Sequence, residues 1–113
     1  MARPRGAAGG LRRTNDPPLL ILISLAGGPK HGHGLAKDIE DFAGVRLSPG
    51  ALYGAITRLE DGGLIEGLPA DDRRRPYRLT ATGADALARA VEDLDRLTGE
   101  ASARLRPAHG GAA

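Results

Sequence analysis

SPGALYGAITRLEDGGLIE, residues Ser48–Glu66, is the stretch on which the fold turns. Leu52, Ile56 and Leu59 recur at helical spacing, Ser48 stands where an N-cap should, and Gly62 and Gly63 close the segment. Inside it lie Gly50 and Gly54, and an interior glycine costs a helix roughly 1 kcal/mol relative to alanine. With the leucine–isoleucine stripe inward, the outward positions are Gly50, Ala51, Tyr53, Gly54, Thr57 and Arg58, which are small, polar or basic. A face kept bare at that cost suits a helix against which something large must lie.

The segments on either side fit such a helix into a small domain. Upstream, NDPPLLILISLAGGP predicts a helix with Asp16 as cap, Pro17 at the tolerated first position, and Gly27, Gly28 and Pro29 as the stop. Its apolar residues run all the way round, so it belongs in the middle of the core. HGLAKDIEDFAG follows, with Leu35, Ile39, Phe42 and Ala43 as an apolar stripe and Lys37, Asp38, Glu40 and Asp41 expected to face water. Downstream, LIEGLP and PYRLT read as two short strands joined by ADDRRR, a hairpin with an almost wholly charged tip.

From Thr80 to about Arg104 the pattern is helical again. Leu87, Val91, Leu94, Thr98, Ala101 and Leu105 are spaced four, three, four, three, four, a heptad seam of nearly three repeats. An amphipathic helix packed on its own domain is the plain alternative, but three small helices offer little area for so long a stripe. The expected organisation is a flexible basic arm over residues 1–15, a unit of three helices and a hairpin over 16–80, a dimerisation helix over 81–106 and a disordered tail over 107–113.

Charge is informative through its placement. Lys plus Arg exceed Asp plus Glu by 16 to 14 in 113 residues, yet Arg3, Arg5, Arg12 and Arg13 stand together without an acid, as do Arg73, Arg74, Arg75 and Arg78. Two arginine clusters in a nearly neutral chain point at an anionic partner, with solvated loop arginines as the plain alternative. The absence of cysteine suits a reducing cytoplasm. The apolar run Leu19–Ala26 falls far short of the ~20 residues of a membrane span and lacks a cleavage site behind it, so a soluble cytoplasmic protein with no membrane partner is expected. His31 and His33 offer two metal ligands where a stable zinc site wants three or four, and no serine stands in a nucleophile elbow. No metal, cofactor or enzymatic activity is expected.

Helix, helix, helix, charged-tip hairpin, long helix is the order of a winged helix-turn-helix domain, mainly α with a small β-hairpin, in which the third helix enters the major groove and the wing reaches the backbone. Over about residues 19–105 the chain resembles the PadR-like family of bacterial winged-helix transcriptional regulators, through LLILISLAGGPKHGHGLAKDIE, LSPGALYGAITRLEDGGLIE and RRRPYRLTATGADAL. The resemblance implies a homodimeric repressor of double-stranded DNA, often responsive to a small-molecule effector, whose last helix forms the dimer through Leu87, Val91, Leu94, Thr98, Ala101 and Leu105. The implied and outward-facing DNA contacts are Ser48, Pro49, Gly50, Tyr53, Gly54, Thr57 and Arg58, with Arg73, Arg74, Arg75 and Tyr77 from the wing. For Tyr53 a core position is the alternative, and Arg58 has Asp61 or Asp41 as alternative partners.

Two departures stand out. The family usually carries His-Gly-Tyr and an acid where this chain has His31, Gly32, His33 and Gly34. Members with aromatic drug pockets use tryptophans at the dimer centre, and this chain has none. The rival functional class is a winged helix used as a protein-interaction module; it would need an exposed apolar patch on the third helix or wing.

Overall fold

A computed structural model describes residues 15–70 and 72–109. Its helices are α1 (Pro17–Ala26), α2 (Gly32–Ala43), α3 (Pro49–Asp61) and α4 (Ala81–His109). Its strands are β1 (Lys30–His31), β2 (Ile65–Gly67) and β3 (Pro76–Leu79), forming an antiparallel sheet in the order β1-β3-β2. This is the winged helix-turn-helix arrangement with a long C-terminal helix.

α1 is the centre of the core, as its all-round apolarity predicts. Leu20, Ile21, Leu22 and Leu25 are buried against Leu35 and Ile39 of α2, Leu52, Ala55, Ile56 and Leu59 of α3, and Ile65 of β2. The start of α1 differs from expectation. Asp16 occupies the N-cap position, but its side chain caps nothing. An N-cap oxygen seeks the second or third amide of the helix, and Pro18 has no N–H to offer at the second.

The stripe of α2 is buried at Leu35 and Ile39, but Phe42 is exposed and Ala43 only partly covered, because the packed core ends before the helix does. Asp38 also departs from expectation: it is half-buried and accepts a 2.6 Å hydrogen bond from the Ser24 hydroxyl, which satisfies the buried serine of α1. Lys30 donates from Nζ to the carbonyls of Ser24 and Gly28 and lies 3.9 Å from Asp38. These bonds fold the α1–α2 connection back on itself and place Lys30 and His31 as a third strand, opposite Tyr77 and Pro76. Two residues among glycines and a proline carry no period, so β1 had no signal in the sequence.

The hairpin pairs Ile65 with Leu79, Glu66 with Arg78 and Gly67 with Tyr77. At its end Thr80 joins strand to helix. Its N–H donates to the Leu64 carbonyl, its hydroxyl donates to the Gly63 carbonyl, and that hydroxyl accepts from the Gly83 N–H at 3.0 Å. α4 then runs 29 residues, about 43 Å at 1.5 Å per residue, and reaches His109, three residues beyond the expected end at Arg106. Leu87 packs against the core, whereas Val91, Leu97 and Leu105 are exposed. Arg3, Arg5, Arg12 and Arg13 of the expected arm lie outside the described residues, as do residues 110–113 of the expected tail.

Candidate nucleic-acid interface

α3 presents its bare face outward. Ser48 caps it, accepting the Ala51 N–H at 3.1 Å, while the Ser48 carbonyl takes the Leu52 N–H. Pro49 has no N–H, so Gly50 is left to present its own at the exposed mouth of the helix. Ser48, Pro49, Gly50, Ala51, Tyr53, Thr57 and Arg58 are exposed, and Gly54 is half-exposed. Thr57 turns its hydroxyl back to donate to the Tyr53 carbonyl at 3.0 Å.

The described glycines differ in what stands in front of them. A Cβ built at Gly32, Gly67 or Gly83 would collide with atoms of the protein itself. At Gly50 it would meet nothing within 4 Å, and at Gly54 only the tip of Arg58, at 3.7 Å. The domain therefore has no internal need of either glycine on α3.

Beside this face, a cleft of about 270 Å³ forms where three elements meet. His31, Gly32 and His33 contribute the mouth of α2, Tyr53 comes from α3, and Arg73, Arg74, Arg75 and Tyr77 come from the wing. Asp72 and Arg73 both adopt positive φ, 54° and 70°, which turns the chain tightly at the hairpin tip. His31 Nε2 is buried here without a hydrogen-bond partner among the described residues.

The wing residues expected on DNA differ in their surroundings. Arg73 and Arg74 make no ion pair among the described residues, whereas Arg75 lies 3.9 Å from Glu60 and Arg78 pairs with Glu66. Tyr77, expected on DNA, is half-buried: it packs against the edge of the core and also lines the cleft. Burial first, then the charge of Glu60, pushes its phenol above the ordinary value of 10.0, with Arg75 opposing and Tyr53 adding to the rise. Tyr53 is neither a core residue nor free: it is 48% exposed, with its hydroxyl end laid over Gly32. Arg58 pairs with neither Asp61 nor Asp41.

Sequence reasoning did not single out Glu60, Gly67 or Leu97. Only the folded hairpin brings the first two to Arg75, while Leu97 flanks the heptad seam and could have been read from its place three residues after Leu94. Of the seam, Leu94 is half-buried and Val91, Thr98, Ala101 and Leu105 are exposed. An open groove of about 570 Å³ runs from Ala26 and Leu79 along Ala84, Leu87, Ala88 and Val91 to Glu92. No three His, Asp or Glu side chains cluster as a metal site among the described residues. No helix among them is long and apolar enough to cross a membrane.

Comparisons with known proteins bear on the family and the fold. The chain is 42% identical over 84 residues to the transcriptional regulator Rv3488 of Mycobacterium tuberculosis, covering 69% of this chain and 78% of that protein. It is 45% identical over 87 residues to an uncharacterized 37.1 kDa protein in transposon TN4556 of Streptomyces fradiae, covering 77% of this chain but only 25% of that longer protein. In fold it is similar to a PadR-like transcriptional regulator from Bacillus cereus, with a TM-score of 0.72 at 20% identity, over 83% of this chain and 95% of that one. The model of the PadR-like family matches residues 21–89, from the central helix through the wing to the start of α4, and the chain belongs to that family of transcriptional regulators.

Proposed function

We propose that the protein is a homodimeric repressor that binds double-stranded DNA with α3 in the major groove and the wing tip on the phosphate backbone. The open space in front of Gly50 and Gly54 carries this reading, since the domain itself has no use for two glycines on one exposed face. A deep groove filled by an α-helix does, because each missing side chain lets the helix axis approach base edges and phosphates. Gly50 offers its N–H at the positive end of the helix, and Tyr53, Thr57 and Arg58 are the side chains within reach of bases. Ser48 and Pro49 hold that end in place. Arg73 and Arg74 supply the backbone contacts, and repression needs no more than occupancy of the operator.

Dimerisation rests on α4. Two ion pairs lie along the helix, Arg96 with Asp93 and Arg104 with Glu100, while Val91 and Leu97 stay exposed without a cover. The groove beside Leu87 is where an effector of such a dimer would sit, against aliphatic rather than aromatic walls.

The test is titration of the protein with genomic fragments selected by binding, over a range of salt. Log K should fall steeply with log salt, by about 0.9 for each phosphate neutralised. Transcription in vitro from the selected fragments should decrease as protein is added. A protein that retains no duplex at low salt is not a DNA-binding regulator.

A further inference from the structure

The basic wing is more neutral than its sequence suggests. Of its four arginines, Arg78 is paired across the strands with Glu66, directly opposite in the register, and Arg75 is drawn to Glu60. Two independent features seat Arg75. Its Nη2 lies 3.9 Å from the Glu60 carboxylate, and its guanidinium lies across Gly67, where a Cβ would come 2.5 Å from the Arg75 Cζ. Glu60 belongs to α3, two residues after Arg58, so the acid that holds the third arginine of the run is carried by the recognition helix itself. The influence of both groups on Tyr77 places them in one local field.

We propose that Glu60 is a specificity-determining residue that keeps Arg75 off the phosphate backbone, so that each wing offers DNA two arginines instead of three. The inference rests on the DNA-binding reading above. Phosphate contacts are blind to sequence and strengthen binding to every duplex alike, whereas the α3 contacts favour one operator. An arginine withheld by an acid on the reading helix lowers binding to random DNA and so widens the ratio between right and wrong sites. A lone surface pair at this distance is weak. The seat over Gly67 supplies the geometry that the pair alone lacks.

The experiment measures anisotropy of labelled random-sequence duplex and of a selected operator fragment across salt, with full-length wild type, Glu60→Gln, Arg75→Ala and the double variant. Glu60→Gln should bind random duplex about five- to tenfold more tightly per protomer near 0.1 M salt, with a slope steeper by about one. Its operator-to-random ratio should fall. Arg75→Ala alone should leave the wild-type slope unchanged, and the double variant should return to it. Glu60→Gln that binds random DNA no more tightly, or Arg75→Ala that by itself lowers the slope by about one, overturns the proposal. Wild type that binds no duplex at any salt instead removes the DNA-binding reading on which it stands.

Discussion

The Tyr53 hydroxyl occupies the place where a side chain at Gly32 would begin, and the next ring atom, Cζ, lies 2.7 Å from that position. One glycine at the mouth of α2 thus sets the direction of the one large aromatic side chain on the α3 face. Gly32→Ala must displace the ring, and a half-exposed ring on two rotatable bonds can move without unfolding the domain. We expect thermal stability to stay within about 1 kcal/mol while operator affinity falls about tenfold, near 1.4 kcal/mol. In Tyr53→Ala the same Gly32→Ala change should cost nothing further, and full additivity in that cycle would show that the two residues act separately.

Gly54→Leu probes the opposite case. With only Arg58 at 3.7 Å, the new side chain finds room in the protein and improves helix propensity by several tenths of a kcal/mol. The melting temperature should rise slightly as operator binding is lost. Normal binding by this variant would mean that α3 meets DNA through another face.

The contrast between these glycines marks what the sequence could and could not reveal. Helices show in one dimension: apolar residues three and four apart must share a face, which is how α3, its bare face and the seam of α4 were legible, while α1 showed through its apolar run between Pro17 and the Gly27–Gly28 stop. Gly32, Gly50, Gly54, Gly67 and Gly83 look alike in a string of letters. What distinguishes them is whether Tyr53, Arg75 or the Leu64 carbonyl stands in front, and those neighbours arrive only through tertiary pairing. β1 was invisible for the same reason, since Lys30 and His31 become a strand only because β3 lies beside them. Charge pairing followed suit: a run of three arginines announces an anion-binding tip, but not that Arg75 is already claimed.

Gly83 should tolerate nothing larger. It is buried in the first turn of α4, and a Cβ there would lie 2.9 Å from the Leu64 carbonyl carbon and 2.9 Å from Leu79 Cδ1. Backbone cannot rotate away as a side chain can, so Gly83→Ala should cost about 2–4 kcal/mol by pushing α4 off the hairpin. Thr80→Ala removes the cap on Gly83 and the bond to Gly63, and should cost about 1–2 kcal/mol. Urea midpoints for the two variants check this order, and a Gly83→Ala protein as stable as wild type would show that α4 is free to shift.

Tyr77 carries an alkaline signature. Its folded phenol holds its proton more tightly than the unfolded one, first through burial and then through Glu60. The contribution to stability is therefore present below about pH 10 and is lost as pH rises through the folded value. Tyr77→Phe cannot ionise, so its urea midpoint should fall less than that of wild type between roughly pH 8 and pH 11. Equal falls in the two proteins would place the Tyr77 phenol in contact with solvent.

The dimer can be tested at a residue that the monomer does not need. Leu97 is 66% exposed on α4, three residues beyond Leu94 and flanking the seam, whereas Leu87 already packs on its own domain. Leu97→Glu should leave the isolated fold unharmed, because it removes no contact with the core. In a two-fold interface it brings two like charges together, desolvates both and gives neither a partner, so the dimer should dissociate. Leu94→Glu should do the same and also cost the monomer stability, since Leu94 is half-buried within it. Two half-sites held about one helical turn apart bind through an effective concentration that a lone protomer lacks, so operator affinity should fall by roughly 100-fold or more. Sedimentation equilibrium beside operator titration separates the cases. Wild type that sediments as a monomer at micromolar concentration, or a monomeric Leu97→Glu that binds the operator as tightly as wild type, would show that α4 serves some other end than pairing two reading heads.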